Sequence, residues 1–129
     1  MKANELMIND WVRVNPYDDN KSVMELYKAG IVTTDGGAYL NDEIQPIPLT
    51  AEMLKGNGWK HRKPLSIYYA EGMNFSLNVT HISDDSWRYD YVSITSKLVC
   101  TGKDIRYVHE LQHALRLCGL NELADNWRV

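Results

Sequence analysis

His109-Glu110-Leu111-Gln112-His113 is the stretch of this chain whose residue types and spacing could do chemistry. It matches H-E-x-x-H. On a helix the two imidazoles share a face and can grip one zinc ion, while the glutamate activates the water bound to the metal. His109 and His113 are therefore candidate metal ligands and Glu110 a candidate general base. A catalytic zinc needs a third protein ligand. Arg116 and Gly119 stand where a longer form of the motif would place its glycine and its third histidine. Arg116 also falls one turn beyond His113 on the same face, where a guanidinium would crowd a divalent cation. Glu122 or Asp125 could serve only if the chain turned sharply back, and His61 and His81 are distant in sequence. His109 and Cys118 lie about half a turn apart in helical angle, so they cannot converge on a structural zinc site.

A second constellation is aromatic and basic. Trp59, Lys60, Arg62, Lys63, Trp87 and Arg88 interleave rings with cations, the composition of a surface that stacks single-stranded bases. The competing reading is an aromatic ladder inside a sheet, and the acidic net charge of −3 favours it. Nucleic acid is not the expected partner. Trp11, Tyr17 and Tyr27 are available for an aromatic peptide groove.

The motif must sit on a helix. From Val108, a rotation of about 100° per residue brings Val108, Leu111, Ala114, Leu115 and Cys118 into one apolar stripe. His109, Gln112, His113 and Arg116 fall on the other side, which is expected to face water or a partner. Asp104 or Thr101 could cap its start, and Gly119 is a C-terminal stop. The helix thus has a structural reason to exist without any metal.

Before it come strands. Residues 6–14, 22–28, 30–34 and 38–40 read as strands, with a turn at residues 15–20 and the strongest turn signal at Asp35-Gly36-Gly37. Pro46 and Pro48 make residues 43–49 an extended edge. These short strands predict an SH3-like small β-barrel over residues 1–49. Thr50 is an N-cap for a short helix over residues 51–55. Residues 65–69, 74–81 and 87–95 then form an antiparallel meander, in which Phe75, Leu77 and Val79 alternate with Asn74, Ser76, Asn78 and Thr80. Lys97–Lys103 has no readable role. The expected fold is α+β: a barrel-like unit at 1–49, and a helix, meander and C-terminal helix at 50–129 with that helix packed on the meander.

The 129 residues are 44% hydrophobic and 24% charged, which suits a globular chain. No apolar run reaches the length of a membrane span and no secretory signal opens the chain, so a cytoplasmic location is expected, with Cys100 and Cys118 as free thiols.

Three stretches resemble a family of small uncharacterised proteins of gut bacteria, their phages and mobile elements. They are Lys2–Val12, Ile44–Thr50 with the helix after it, and Ile105–Gln112 with Gly119 and Glu122-Leu123. Members of that family usually read Tyr-Val-His-x-Leu-Gln, without the glutamate and second histidine of a zinc pair. The resemblance implies a mobile-element accessory protein and brings no activity or site residues. The expected function is a non-catalytic binding or adaptor protein with an unknown protein partner and no cofactor. The alternatives are a zinc-dependent hydrolase and a single-stranded nucleic-acid binder.

Overall fold

A computed structural model describes residues 1–15, 18–72, 75–93 and 98–129. Residues 16 and 17 of the turn expected at 15–20, the position of Asn74 and the end of the strand expected to reach Thr95 lie outside the described residues. The chain is α+β, with two antiparallel sheets, one a curled half-barrel, and few helices. Among the described residues no helix is long and apolar enough to cross a membrane.

Contacts divide the chain into two compact units, Met1–Pro48 with Tyr107–Trp127, and Leu49–Arg106. In the first unit the strands are β1 (Trp11–Val14), β2 (Asp19–Leu26), β3 (Gly30–Thr33), β4 (Ala38–Leu40) and β5 (Ile44–Gln45). They form one sheet in the order β4-β3-β2-β1-β5. β2 pairs with β1 through its first half and with β3 through its second, where the register shifts between Val23 and Glu25; such a bulge bends a strand. The turn into β4 is the expected one, with Gly36 at φ 91° and Thr33 N–H donating to the Gly37 carbonyl at 2.8 Å. Val12 and Val14 point inward, as their alternation predicts, into a core with Ala3, Leu6, Val23, Ile31 and Ile44.

The helices α2 (Val108–Leu117) and α3 (Asn121–Asp125) belong to this first unit. The sequence pattern grouped α2 with residues 50–106. The difference comes from the polar residues of its face, which bond to the chain just before β1, as described below.

In the second unit Thr50 caps α1 (Ala51–Gly56), its hydroxyl accepting from Met53 N–H at 3.3 Å. The sheet holds β6 (Lys60–Arg62), β7 (Ile67–Glu71), β8 (Phe75–Ser83), β9 (Ser86–Ser93) and β10 (Leu98–Ile105), in the order β10-β9-β8-β7-β6. The meander therefore has five strands where three were expected. The two additional ones, β6 and β10, are its edges. An edge strand is recruited by backbone pairing on one side and tolerates charge, so neither shows apolar alternation. The cross-strand row His61, Tyr68, Val79, Tyr89 and Gly102 shares one face. Gly102 is required there: a Cβ would meet the Tyr89 ring at 2.2 Å.

Candidate functional site

The apolar stripe of α2 is where its spacing puts it: Val108, Leu111 and Leu115 have no solvent exposure. The opposite face is not wet, and this corrects the expectation. Gln112 is fully buried and His109 is only 6% exposed. The Gln112 carboxamide accepts from Trp11 N–H at 3.0 Å and donates to the carbonyls of Asn9 and Ala124, both at 2.9 Å. Three backbone groups are thus satisfied by one side chain, which makes burial of the amide tolerable.

Asp10 is the second anchor, and its side chain has no exposure. Its Oδ1 accepts from Arg116 Nη1 at 2.6 Å. Its Oδ2 accepts from Met7 N–H at 2.8 Å and from His113 Nε2 at 2.5 Å. A carboxylate only accepts, so His113 carries a proton on Nε2 and its ring is fixed. Arg116 also donates to the Ile8 carbonyl at 3.1 Å and to Asp125 Oδ1 at 3.4 Å. The residues of α2 that could do chemistry therefore fasten the helix to residues 7–11 and to α3.

His109, Glu110 and His113 line a cleft of about 560 Å³ with Glu5, Pro46 and Tyr107. Glu110 accepts from Tyr107 N–H at 3.1 Å and so occupies the start of the helix. The His109 ring lies parallel to Tyr107 and edge-on to His113, 5.6 Å away. Burial lowers the His109 pKa from the usual imidazole value; His113 lowers it further, while Asp10, Glu110 and Glu5 oppose the shift. His109 Nδ1 is buried without a hydrogen-bond partner among the described residues.

His113 Nε2 is engaged by Asp10, the guanidinium of Arg116 shares that carboxylate, and Glu110 is engaged by the backbone. Among the described residues no group of three His, Cys, Asp or Glu is placed to hold a metal. Asp125, a possible third ligand by sequence, faces Arg116 instead. In the second unit His61 stacks on Tyr68 and His81 on Trp87. Among the described residues Cys100 and Cys118 form no disulfide.

The structure separates the aromatic and basic residues. Trp59 and Trp87 are 4% and 3% exposed. Trp87 lies opposite His81, on the face that carries Tyr68 and Tyr89. Arg62 and Arg88 share the other face in the row Arg62, Ile67, Thr80 and Arg88, and Lys60 shares it opposite Tyr69. Arg62 covers Tyr69 at 4.8 Å and Arg88 pairs with Asp90 at 3.3 Å; Lys63 is exposed in the following turn. The tryptophans and the cations therefore form no common stacking platform. Period-two alternation across Trp87-Arg88 already carries this signal.

Of the three aromatics considered for a peptide groove, Trp11 donates its indole N–H to the Trp127 carbonyl at 2.7 Å. Tyr17 lies outside the described residues. Tyr27 is 56% exposed. It stands between two grooves of the first unit, of about 710 and 370 Å³, and lines both. Leu26, 38% exposed, lines the first of these grooves and Leu40, 58% exposed, the second; neither is marked by the sequence. No family model, no curated protein and no solved structure matches the chain.

Proposed function

We propose that this chain is a non-catalytic binding or adaptor protein of the cytoplasm, an accessory of a mobile element that acts by engaging a protein partner. The observation that carries the reading is the internal engagement of the one motif with catalytic spacing. His113 and Arg116 hold Asp10, Gln112 holds three backbone groups, and Glu110 holds the first turn of α2. A general base must be free to reach a proton on water or substrate, and one Glu110 oxygen is held by the Tyr107 N–H at the start of its own helix. Exposed apolar residues around Tyr27 supply a surface of the kind partners use. The resemblance of Lys2–Val12, Ile44–Thr50 and Ile105–Gln112 supports the mobile-element setting. We further read the first sheet as an SH3-like barrel, on its five short strands and its bent β2.

Metal analysis of protein purified without added zinc tests the reading. Zinc far below one equivalent, unchanged in His113→Ala, is expected. One equivalent of zinc that His113→Ala removes would replace the adaptor with a hydrolase using His109, His113 and Glu110.

A further inference from the structure

The groove beside Tyr27 has a floor of buried Ala3 and Leu6 and a wall of Leu26 and Tyr27. Its shape is fixed by one side chain. Asn41 Oδ1 accepts from Ala3 N–H and Asn41 Nδ2 donates to the Lys28 carbonyl, both at 3.0 Å, so the two sides of the groove are tied together. A preformed groove loses less conformational freedom when a ligand enters. Its charged rim has one sign. Lys2 and Lys28 are both exposed and line it. Among the described residues neither takes part in an ion pair, whereas Lys21, Arg88 and Arg116 each have an acidic partner. The nearest acid on the wall strand, Glu25, is occupied by the Tyr27 hydroxyl. A chain of net charge −3 thus keeps two uncommitted cations around an apolar groove. Beyond Tyr27 the second groove continues over the paired strands β3 and β4 to Leu40. There the backbone N–H of Leu40 is already taken by Glu43 at 3.0 Å, so side chains rather than an added strand would make the contact.

We propose that this groove docks an acidic peptide segment of a partner protein, with an aliphatic or aromatic anchor packed against Leu26 and Tyr27 and its carboxylates on Lys2 and Lys28. The inference rests on the adaptor reading and names its partner's chemistry. Apolar anchors supply affinity, and complementary charge supplies selection and association rate.

The test uses the full chain and two displayed short-peptide libraries. Both carry Leu, Phe and Trp at the anchor positions; one has only Asp and Glu as charged residues, the other only Lys and Arg. Enrichment from the acidic library is expected. Tyr27→Ala should weaken selected peptides by about tenfold. The double charge reversal Lys2→Glu/Lys28→Glu should move selection to the basic library. All three side chains are exposed, and thermal unfolding of each variant should match the parent. Enrichment from neither library, preference for the basic one, or peptides indifferent to both variants would overturn the proposal. So would a concentration-dependent dimer abolished by Tyr27→Ala, which would make a second copy the occupant. These results are separate from the zinc measurement: stoichiometric zinc would retire the adaptor reading whatever the peptides show, and absent zinc with no peptide would retire this groove alone.

Discussion

In the first unit a carboxylate, a carboxamide and a hydroxyl, those of Asp10, Gln112 and Thr33, sit with no solvent exposure among the valines and isoleucines. In the second unit the positions of lowest exposure are Leu54, Leu77 and Val79, with Trp59, Tyr68, Trp87 and Tyr89 nearly as buried. The second sheet comes near the simplest rule of a half-buried sheet: one face carries Tyr68, Leu77, Val79, Trp87 and Tyr89, the other Lys60, Arg62, Asn78, Thr80 and Arg88. The first unit uses buried polar groups to decide which segment α2 packs on. Apolar burial is non-directional, whereas a carboxamide bonded to Asn9, Trp11 and Ala124 fits one register only.

Asp10→Ala tests this most severely. It removes the acceptor for Arg116, His113 and Met7 N–H together. The guanidinium, 16% exposed, keeps the Ile8 carbonyl, Asp125 and a weak contact to the Met7 sulfur. Breaking a buried pair on one side costs about 3–5 kcal/mol. Urea denaturation should therefore show a loss of about 4 kcal/mol by the same reasoning. A loss under about 1 kcal/mol, the worth of a surface pair, would mean that the first unit is held by its apolar core like the second.

A paired experiment sets the two units against each other. Leu77→Ala in the second sheet leaves a cavity at a site with no exposure and should cost about 3 kcal/mol. Gln112→Leu in the first unit keeps the volume and raises the hydrophobicity, and would be harmless in a core that needs only carbon. Here it strands three backbone groups, so a loss of about 2 kcal/mol is expected. If Gln112→Leu is neutral or stabilising by chemical denaturation, the contrast between the units fails.

The same contrast decides what the sequence alone reveals. The central strands β7, β8 and β9 are legible, because apolar and polar residues alternate along Phe75–Thr80 and Trp87–Tyr91. The edges β6 and β10 are not, because Lys60-His61-Arg62 and Thr101-Gly102-Lys103 look like loop and are recruited by backbone pairing. The helix α2 is legible from Val108, Leu111 and Leu115. Its polar face is not, because angular position shows which residues share a side and not whether another segment covers it. Asp10 lies about a hundred positions from His113 and Arg116, and no local pattern links them. The zinc spacing of His109 and His113 was legible too, but spacing does not reveal that Asp10 and the helix start engage His113 and Glu110. Around Tyr27, exposure of Leu26 and Leu40 could not be read, since both sit in strands whose inner face was undetermined.

His109 gives a smaller effect with a definite sign. Its pKa is lowered chiefly by burial, against the pull of Asp10, Glu110 and Glu5. The unfolded chain takes up this proton as pH falls through about 6.5, and the folded chain only at lower pH. Between those values the unfolded state holds more protons, so stability declines on acidification and the contribution is complete above about 6.5. Denaturation midpoints followed downward from neutral pH should fall less steeply in His109→Gln than in the parent. Equal slopes would mean that His109 does not titrate differently in the two states.

The smallest effect separates the two roles considered for Glu110. As the acceptor for Tyr107 N–H it should contribute about 0.5–1 kcal/mol, in the range of helix caps. Glu110→Ala should lose that amount. Glu110→Gln keeps an acceptor oxygen at the same place, as glutamine does in capping boxes, and should recover most of it. A general base offers the opposite pattern: glutamine cannot take a proton from water, and its loss would leave stability untouched. Urea denaturation of the two variants beside the parent is enough. If glutamine rescues stability, Glu110 holds the start of α2. If neither variant changes stability, the carboxylate is free, and the chief argument against a catalytic helix weakens with it.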